Sequence, residues 1–487
     1  MKYSCCCLAF FLVSLNSGPW LSGDVQDTKR NVLFISVDDL NDWTGFLGGH
    51  PQALTPHMDR LAEKGVVFTE AHCQAPICGP SRAAILTGKF PHSTGIYAQY
   101  NTGRMMDYLD KNHPDIVQLP DWFERHGYTS EAVGKITHGS GSGLFDVDHG
   151  RFEGFGPKPD TRFHYDPAWF PEKFGSTQTD WGAFPDRDED MPDFKIASVA
   201  EKFLAEKHDR PFFFCVGFMR PHVPLYVPQP WLDKFPLDRI QTPMWKSDDL
   251  DDVPQAAHEV NETPQMPTTE WAISTDQWGR AVQAYLASVA FMDFQLGRVL
   301  SALESGPHAD NTYIVLFSDH GYHMGEKNRF SKHTLWERSS RVPLIISGPG
   351  IAGGTRCASP VGLIDIYPTL TGLCGLNPNP SNEGRSLVGL LNSPGTTWNH
   401  PVLTTYGRGN HAVQTADFRL IRYYDGAMEL YDHRTDPHEW TNLAGRDQYD
   451  SLIRQLTSYL PENEAQWAAP SSHKVNNHFL TYQQQFR

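Results

Sequence analysis

Three stretches of the chain are apolar almost without interruption: Asn31-Val32-Leu33-Phe34-Ile35-Ser36-Val37, Pro211-Phe212-Phe213-Phe214-Cys215-Val216-Gly217-Phe218 and Tyr313-Ile314-Val315-Leu316-Phe317-Ser318. A strand with one wet face alternates apolar and polar residues, so continuous runs predict strands buried on both faces, as in a parallel sheet covered by helices. Shorter strands are expected at Val66-Val67-Phe68, Tyr128 to Gly134 and Val342 to Ser347. Between them the period changes to that of helices. Thr55 to Gly65 is a capped amphipathic helix with a glycine stop, and Ser81 to Thr87 runs on to a terminating Gly88. Phe194 to Lys207, Gln283 to Leu303 and Asp365 to Leu373 follow, the long one with Tyr285, Val289, Phe291, Leu296, Val299 and Leu300 for a buried face. Strands alternating with helices predict an α/β fold with a large, mostly parallel sheet.

The pattern changes beyond the Pro-, Asn-, Gly- and Ser-rich segment Leu376 to His400. Val402 to Tyr406, His411 to Thr415, Phe418 to Tyr424 and Glu429 to Tyr431 are closely spaced strands with turn signals such as Asp425-Gly426, predicting a short antiparallel sheet and then a helix around Tyr449 to Leu460. The chain thus divides into a large domain, 24–398, and a C-terminal subdomain, 399–487, after a leader over 1–23. Two segments lack periodicity. Gly139 to Asp193, with Arg162-Phe163-His164-Tyr165 and Trp169-Phe170, reads as a wall that recognises substrate, and the polar, Pro-rich stretch after Pro224 to about Thr275 reads as surface loop, its part from Asp248 to Thr275 as a second specificity loop.

Composition narrows the class. At 487 residues with 39% hydrophobic and 20% charged residues the chain is long enough for a large core, and its formal charge of −16 argues against a nucleic-acid partner. Lys2 followed by the apolar run Cys7 to Val13, with small residues at Ser17-Gly18 and Ser22-Gly23, reads as an export signal, which places the protein outside the cell or in the periplasm. No later stretch has the uninterrupted apolar length of a membrane span. Of eight cysteines, Cys5, Cys6 and Cys7 would leave with the leader. The remaining five are an odd number, which suggests a free or modified cysteine, with Cys78 the leading candidate and Cys73, Cys215, Cys357 and Cys374 unassigned.

The chemistry sits where the buried strands stop. The first ends in Asp38-Asp39 and the last in Asp319-His320-Gly321, and α/β sheets hold ligands beyond the carboxyl ends of their strands. Two such deliveries of metal-competent side chains imply a cation. Mostly oxygen donors favour calcium or magnesium, while the histidine leaves zinc and manganese open. Lys135 and His138 follow the Tyr128 to Gly134 strand, His222 follows the Pro211 to Phe218 strand in Arg220-Pro221-His222-Val223-Pro224, and Lys332 lies in Phe330-Ser331-Lys332-His333. Cys78-Gly79-Pro80-Ser81-Arg82 opens a helix, where the dipole favours an anion on the cysteine or on a ligand; a buried structural cysteine in a tight turn fits the pentapeptide alone equally well. Donors around a cation imply an anionic substrate, and hydrolysis of a phosphate or sulfate ester is the natural reaction.

Cys78-Gly79-Pro80-Ser81-Arg82, set between a strand-Asp-Asp and a strand-Asp-His-Gly element, resembles the C-x-P-S-R signature of type I sulfatases of the alkaline phosphatase superfamily. Glu429-Leu430-Tyr431-Asp432, Asp436-Pro437 and Asn442-Leu443 are similar to that family's closing pattern, and Asn31 to Tyr97 with Gly134-Lys135-Ile136-Thr137-His138 most resembles iduronate-2-sulfatases, with choline sulfatases close behind. The resemblance implies an alkaline phosphatase-like fold and conversion of Cys78 to formylglycine by a formylglycine-generating enzyme. It implies one calcium ion held by Asp38, Asp39, residue 78, Asp319 and His320. It also implies a sulfate site in which His138 takes a proton, Lys135, His222 and Lys332 hold the sulfate oxygens, and Arg82 steadies the hydrate. The substrate implied is a sulfated oligosaccharide or polysaccharide carrying a 2-O-sulfated uronic acid or related sugar. Phosphodiester or phosphonate monoester hydrolysis on the same site, and an inactive glycan-binding relative, are the alternatives.

Overall fold

A computed structural model of the chain describes Met1 and residues 29–139, 143–164, 179–263, 265–473 and 476–485. Residues 2–23 of the expected leader, with Cys5, Cys6 and Cys7, lie outside these, as do Tyr165, Trp169 and Phe170 of the irregular segment.

The large sheet has eight strands: β1 (Asn31–Val37), β2 (Gly65–Phe68), β3 (Thr129–Gly134), β4 (Val147–Asp148), β5 (Phe212–Phe218), β6 (Thr312–Ser318), β7 (Leu344–Ser347) and β8 (Thr355–Cys357). Their order across the sheet is β8-β2-β7-β6-β1-β5-β3-β4. The central strand β1 is parallel to both neighbours, and β7 alone runs antiparallel to the strands beside it. Every residue of β1 and of β5 is buried, as their unbroken apolar runs require.

Side-chain alternation splits these strands between two cores. Leu33, Ile35 and Val37 face one side with Phe212, Phe214, Val216 and Phe218, and that side is covered by α2 (Pro192–Ala205) and α3 (Trp278–Ser305). Val32, Phe34, Phe213, Cys215, Val315 and Phe317 face the other, where Ile85 and Leu86 of α1 (Cys78–Thr87) pack on them. Each large side chain so buried contributes about 1.5–3 kcal/mol, so the sheet is clamped from both faces. By length and mean composition α3 could cross a membrane, but Arg280, Asp293 and Arg298 interrupt its apolar run and 78% of its most apolar window is packed inside the fold, as in a core helix.

The C-terminal sheet is antiparallel in simple chain order: β9 (Val402–Thr405), β10 (His411–Gln414), β11 (Phe418–Arg422) and β12 (Met428–Asp432). Its first strand is tied to the large domain, with Thr404 Oγ1 donating to the Cys73 carbonyl at 2.6 Å and the Thr405 N–H to that of Gln74 at 2.9 Å. Segment 248–275 is not all loop, because it folds into helices Gln255–Val260 and Thr269–Ser274. Ala256, Ala257, Val260 and Ala272 supply their buried contacts, and such small, sparse apolar positions leave little periodic signal. The helix expected over Ser81 to Thr87 begins earlier, at Cys78. The five described cysteines outside the leader are all unpaired.

One glycine sets how closely the site-bearing strands meet. A Cβ on Gly217 of β5 would stand 2.3 Å from the carbonyl oxygen of Lys135 and 2.4 Å from its carbon, both backbone atoms that cannot swing away. Gly217→Ala should therefore lower the urea unfolding midpoint by an amount worth about 1–3 kcal/mol; an unchanged midpoint would show that the strands have slack.

Candidate active site

Register brings the functional side chains to one edge. Val37 is level with Phe218 on one side and Ser318 on the other, and Gly134 is level with Gly217. Asp38-Asp39, Asp319-His320 and Lys135 therefore emerge from neighbouring strand ends at nearly the same height. The chain cannot continue as strand there. Asp39 takes a left-handed φ of 65°, on the order of 1 kcal/mol uphill for a residue with a Cβ. Its N–H donates to Asp319 Oδ1 at 3.2 Å, its carbonyl accepts from Tyr285 Oη at 2.8 Å, and the next N–H, of Leu40, donates to Ser318 Oγ at 2.9 Å. Those three bonds hold the turn.

Cys78 comes from the opposite side of the edge, at the first position of a helix whose ten residues are all buried. Its Sγ lies 3.1 Å from His320 Nε2, 3.3 Å from Lys332 Nζ and 4.0 Å from Asp39 Oδ1. Gly79 is needed beside it: its N–H donates to Gln99 Oε1 at 2.7 Å, and a Cβ there would sit 2.5 Å from that oxygen. The thiol is 1% exposed, and burial pushes it up from the ordinary cysteine range against the pull of Lys135 and Lys332.

Carboxylates and cations are interleaved. Asp38 is bound by Lys135 Nζ and, at 3.3 Å, by Arg82 Nη2; Asp39 Oδ1 accepts from Lys332 Nζ at 2.5 Å. Burial opposes the charge on Asp38, but Lys135, His222, Arg82 and Lys332 outweigh it and hold the carboxyl well below its usual range. Asp39 goes the other way. Burial pushes it up, Lys332 pulls it down and Asp38 next to it adds to the rise. The two adjacent carboxylates thus oppose each other's ionisation unless further positive charge arrives.

The donor set fits a cation. Asp38, Asp39, Cys78 and His320 place one ligand atom each within 4.8 Å of one another, and Asp39 Oδ2 is buried without a hydrogen-bond partner, its approach to His222 Nε2 being 3.9 Å. Asp319 stands beside this group rather than within it. Its Oδ2 accepts from Arg82 Nε at 2.8 Å, its Oδ1 from the N–H groups of Asp39 and His320, and His320 Nε2 is 3.6 Å from Oδ1.

The three histidines share one device. His320 Nδ1 is 3.0 Å from the Gly321 carbonyl, His222 Nδ1 2.6 Å from that of Val223 and His138 Nδ1 3.0 Å from that of Tyr100. A carbonyl accepts only, so each ring carries its proton on Nδ1 and presents a bare Nε2. Burial favours this neutral form in all three, and it brings His138, with Lys135 adding to the effect, down to about 4.

Arg82 takes a different place from the one its motif suggested. Its hydrogen bonds go to Asp319, Asp38, Ser36 Oγ and the carbonyls of Lys135 and Ile136, so it acts on residue 78 through the carboxylates. Sequence reasoning did not single out Tyr285, Gln99, Tyr100 or Phe155. Phe155 stacks on His222 with centroids 4.3 Å apart and lies 5.4 Å beneath Lys135 Nζ, which makes it part of the wall. Tyr285 was read only as part of a buried helix face, and the other three had no signal of their own.

Comparison with known proteins identifies the scaffold. A family model described as Sulfatase matches residues 30–376, and one described as N-sulphoglucosamine sulphohydrolase, C-terminal, matches 325–466. A "Sulfatase" of Formosa agariphila is 45% identical over 457 residues, covering 93% of this chain and 90% of the relative. The iduronate 2-sulfatase of Mus musculus is 28% identical, covering 77% and 73%. A solved enzyme in complex with its substrate D-glucosamine-2-N,6-O-disulfate superposes with a TM-score of 0.71 at 22% identity, over 88% of this chain and 96% of that one, which places the α/β architecture among alkaline phosphatase-like folds. With that breadth of match behind the strand-end carboxylates and the helix at Cys78, the chain belongs to the sulfatase family and is a sulfuric ester hydrolase.

Proposed function

We propose that the protein is an exported sulfatase that removes sulfate from a sulfated carbohydrate, a 2-O-sulfated uronic acid or related sugar of a polysaccharide, with formylglycine at position 78 as its nucleophile. The observation that carries the mechanism is the setting of Cys78: a buried thiol, raised by burial, at a helix start between Lys332, His320 and two aspartates. As a thiol it is poorly ionised, and a sulfated sulfur has no second hydroxyl through which to release its load. As a hydrated aldehyde, formed by a formylglycine-generating enzyme, the same carbon carries two hydroxyls.

One hydroxyl of residue 78 attacks sulfur while the bond from sulfur to the sugar oxygen breaks, leaving a sulfate ester on the residue. The ammonium groups of Lys135 and Lys332 hold the sulfate oxygens, and the bare Nε2 of His222 takes the proton of the attacking hydroxyl and passes it to the departing sugar oxygen. His138, with Nδ1–H committed to the Tyr100 carbonyl, then accepts the proton of the second hydroxyl at Nε2. The C=O bond re-forms, the C–O bond to sulfate breaks and sulfate leaves. Arg82 keeps Asp38 and Asp319 oriented throughout. A divalent cation held by Asp38, Asp39, His320 and residue 78, with Asp319 beside them, would supply Lewis-acid polarisation of the sulfate; the mainly oxygen set suits calcium. The sugar reading draws on the iduronate 2-sulfatase relative and on the irregular segment that contributes Phe155.

Protein matured in its native host should show formylglycine in the mass of the peptide containing residue 78, and an intact thiol throughout would count against the mechanism. Cys78→Ala and exhaustive chelation should each cut sulfate release by roughly three orders of magnitude or more. Aryl sulfate should be turned over faster than an aryl phosphate diester; the reverse order would make the protein a phosphoesterase on this scaffold. The pH dependence has a defined sign. His138 must be neutral to accept a proton and titrates at about 4, so the acid limb of kcat/KM should descend near pH 4 rather than near 6.5. A limb at 6.5 that survives in His138→Ala would remove it as the base.

A further inference from the structure

The 150–156 segment carries a cation that the mechanism above does not use. Arg151 follows β4 and donates from Nη2 to the Thr137 carbonyl and, at 3.4 Å, to Thr137 Oγ1. Thr137 is the neighbour of His138, and Arg82 holds the two preceding carbonyls, of Lys135 and Ile136, from beneath. The two guanidiniums therefore grip successive carbonyls of the loop that presents Lys135 and His138.

Their charges are balanced differently. Arg82 is ion-paired to Asp38 and Asp319. Arg151 is half-buried, and among the described residues no carboxylate pairs with it. Asp38, the acid that acts most on it, is already engaged by Lys135 and Arg82, and Asp148 adds less. Burial, followed by repulsion from Arg82, brings the guanidinium down to about 10, as expected of a cation with no anion of its own. A guanidinium has five N–H donors in a planar fork, and Thr137 uses only one nitrogen of it. Phe155, four residues on, covers His222 and Lys135, so this one segment flanks the sulfate-binding face from two sides.

We infer that Arg151 reads a second negative charge on the substrate, a carboxylate or a further sulfate ester on the sugar that carries the scissile sulfate. This rests on the sulfatase reading and sharpens it, because it requires a dianionic sugar rather than any sulfate ester. In the proposed mechanism the scissile sulfate is held by Lys135 and Lys332, which leaves Arg151 for a different anion.

The test uses matured, metal-replete enzyme and four substrates: a 2-O-sulfated methyl uronoside, its counterpart with the carboxylate reduced to hydroxymethyl, that counterpart with a second sulfate on the hydroxymethyl oxygen, and an aryl sulfate. Wild type should favour one of the two charged sugars over the neutral one by about 10- to 100-fold in kcat/KM, mainly through KM. Which one it favours tells carboxylate from sulfate. Arg151→Gln should bring that ratio to within about twofold, and Arg151→Lys should keep part of it, because a point charge replaces the fork. The ratio is immune to any general damage from losing the Thr137 bond. An equal loss on charged and neutral sugars would show that Arg151 only clamps the loop, and so would a wild type indifferent to the second charge. If aryl sulfate and all sugars fail alike, the sulfatase reading falls and takes this inference with it; turnover of aryl sulfate with no preference among the sugars overturns the inference alone.

Discussion

Everything in this structure depends on compensating three carboxylates at the dry end of a sheet. Asp38, Asp39 and Asp319 are each fully buried, and an isolated carboxylate so placed would sooner take up a proton than stay ionised. The chain supplies the compensation from elsewhere: Arg82 from the helix beneath, Lys135 from the end of β3, two strands away from β1, and Lys332 from a loop past β6. Removing Asp38 strands Lys135, removing Asp39 or Lys332 strands the other, and breaking a buried pair costs roughly 3–5 kcal/mol. Binding site and folding core are in this respect the same object.

The parallel arrangement follows from that demand. Strands that run the same way finish at the same edge, so their following residues meet without long reaches, and Val37, Phe218 and Ser318 are level because of it. The C-terminal part closes the other flank. Residues 465–472 bond to the 92–99 segment, with Ser471 Oγ donating to the Ala98 carbonyl at 3.0 Å and Ser472 N–H to that of Gln99 at 2.8 Å. Gln99 in turn receives the Gly79 N–H and Tyr100 orients His138. A sheet and tail far along the sequence thereby fix the positions of the helix at Cys78 and of His138.

The strands, their buried character and the residues at their ends were legible in the sequence, because a run such as Val32 to Val37 has no other economical fold and a pair of aspartates after it has no packing use. Long helices were legible for the same reason. Less was visible where function rests on backbone atoms. The Tyr100 carbonyl that sets the tautomer of His138 carries no signature, since every residue has a carbonyl. Arg82 could be seen as important, but its side chain could not be seen to reach through to two carboxylates and two carbonyls rather than toward residue 78. Phe155 and Arg151 were hidden in a segment without period, and the helices within 248–275 were too short to show one.

The burial of the Cys78 helix has a consequence for the order of events in the life of the protein. All ten of its residues are sealed between the sheet and the surrounding loops, with the first side chain at the bottom of the site. A second macromolecule could reach that side chain's neighbours only by unfolding them. Under the proposed role, chemical conversion of position 78 therefore belongs to the newly made, still extended chain, and folding is the step that locks the outcome in. A copy that folded unconverted would have that side chain sealed away, so under this role the active fraction of a preparation would record how the two processes raced.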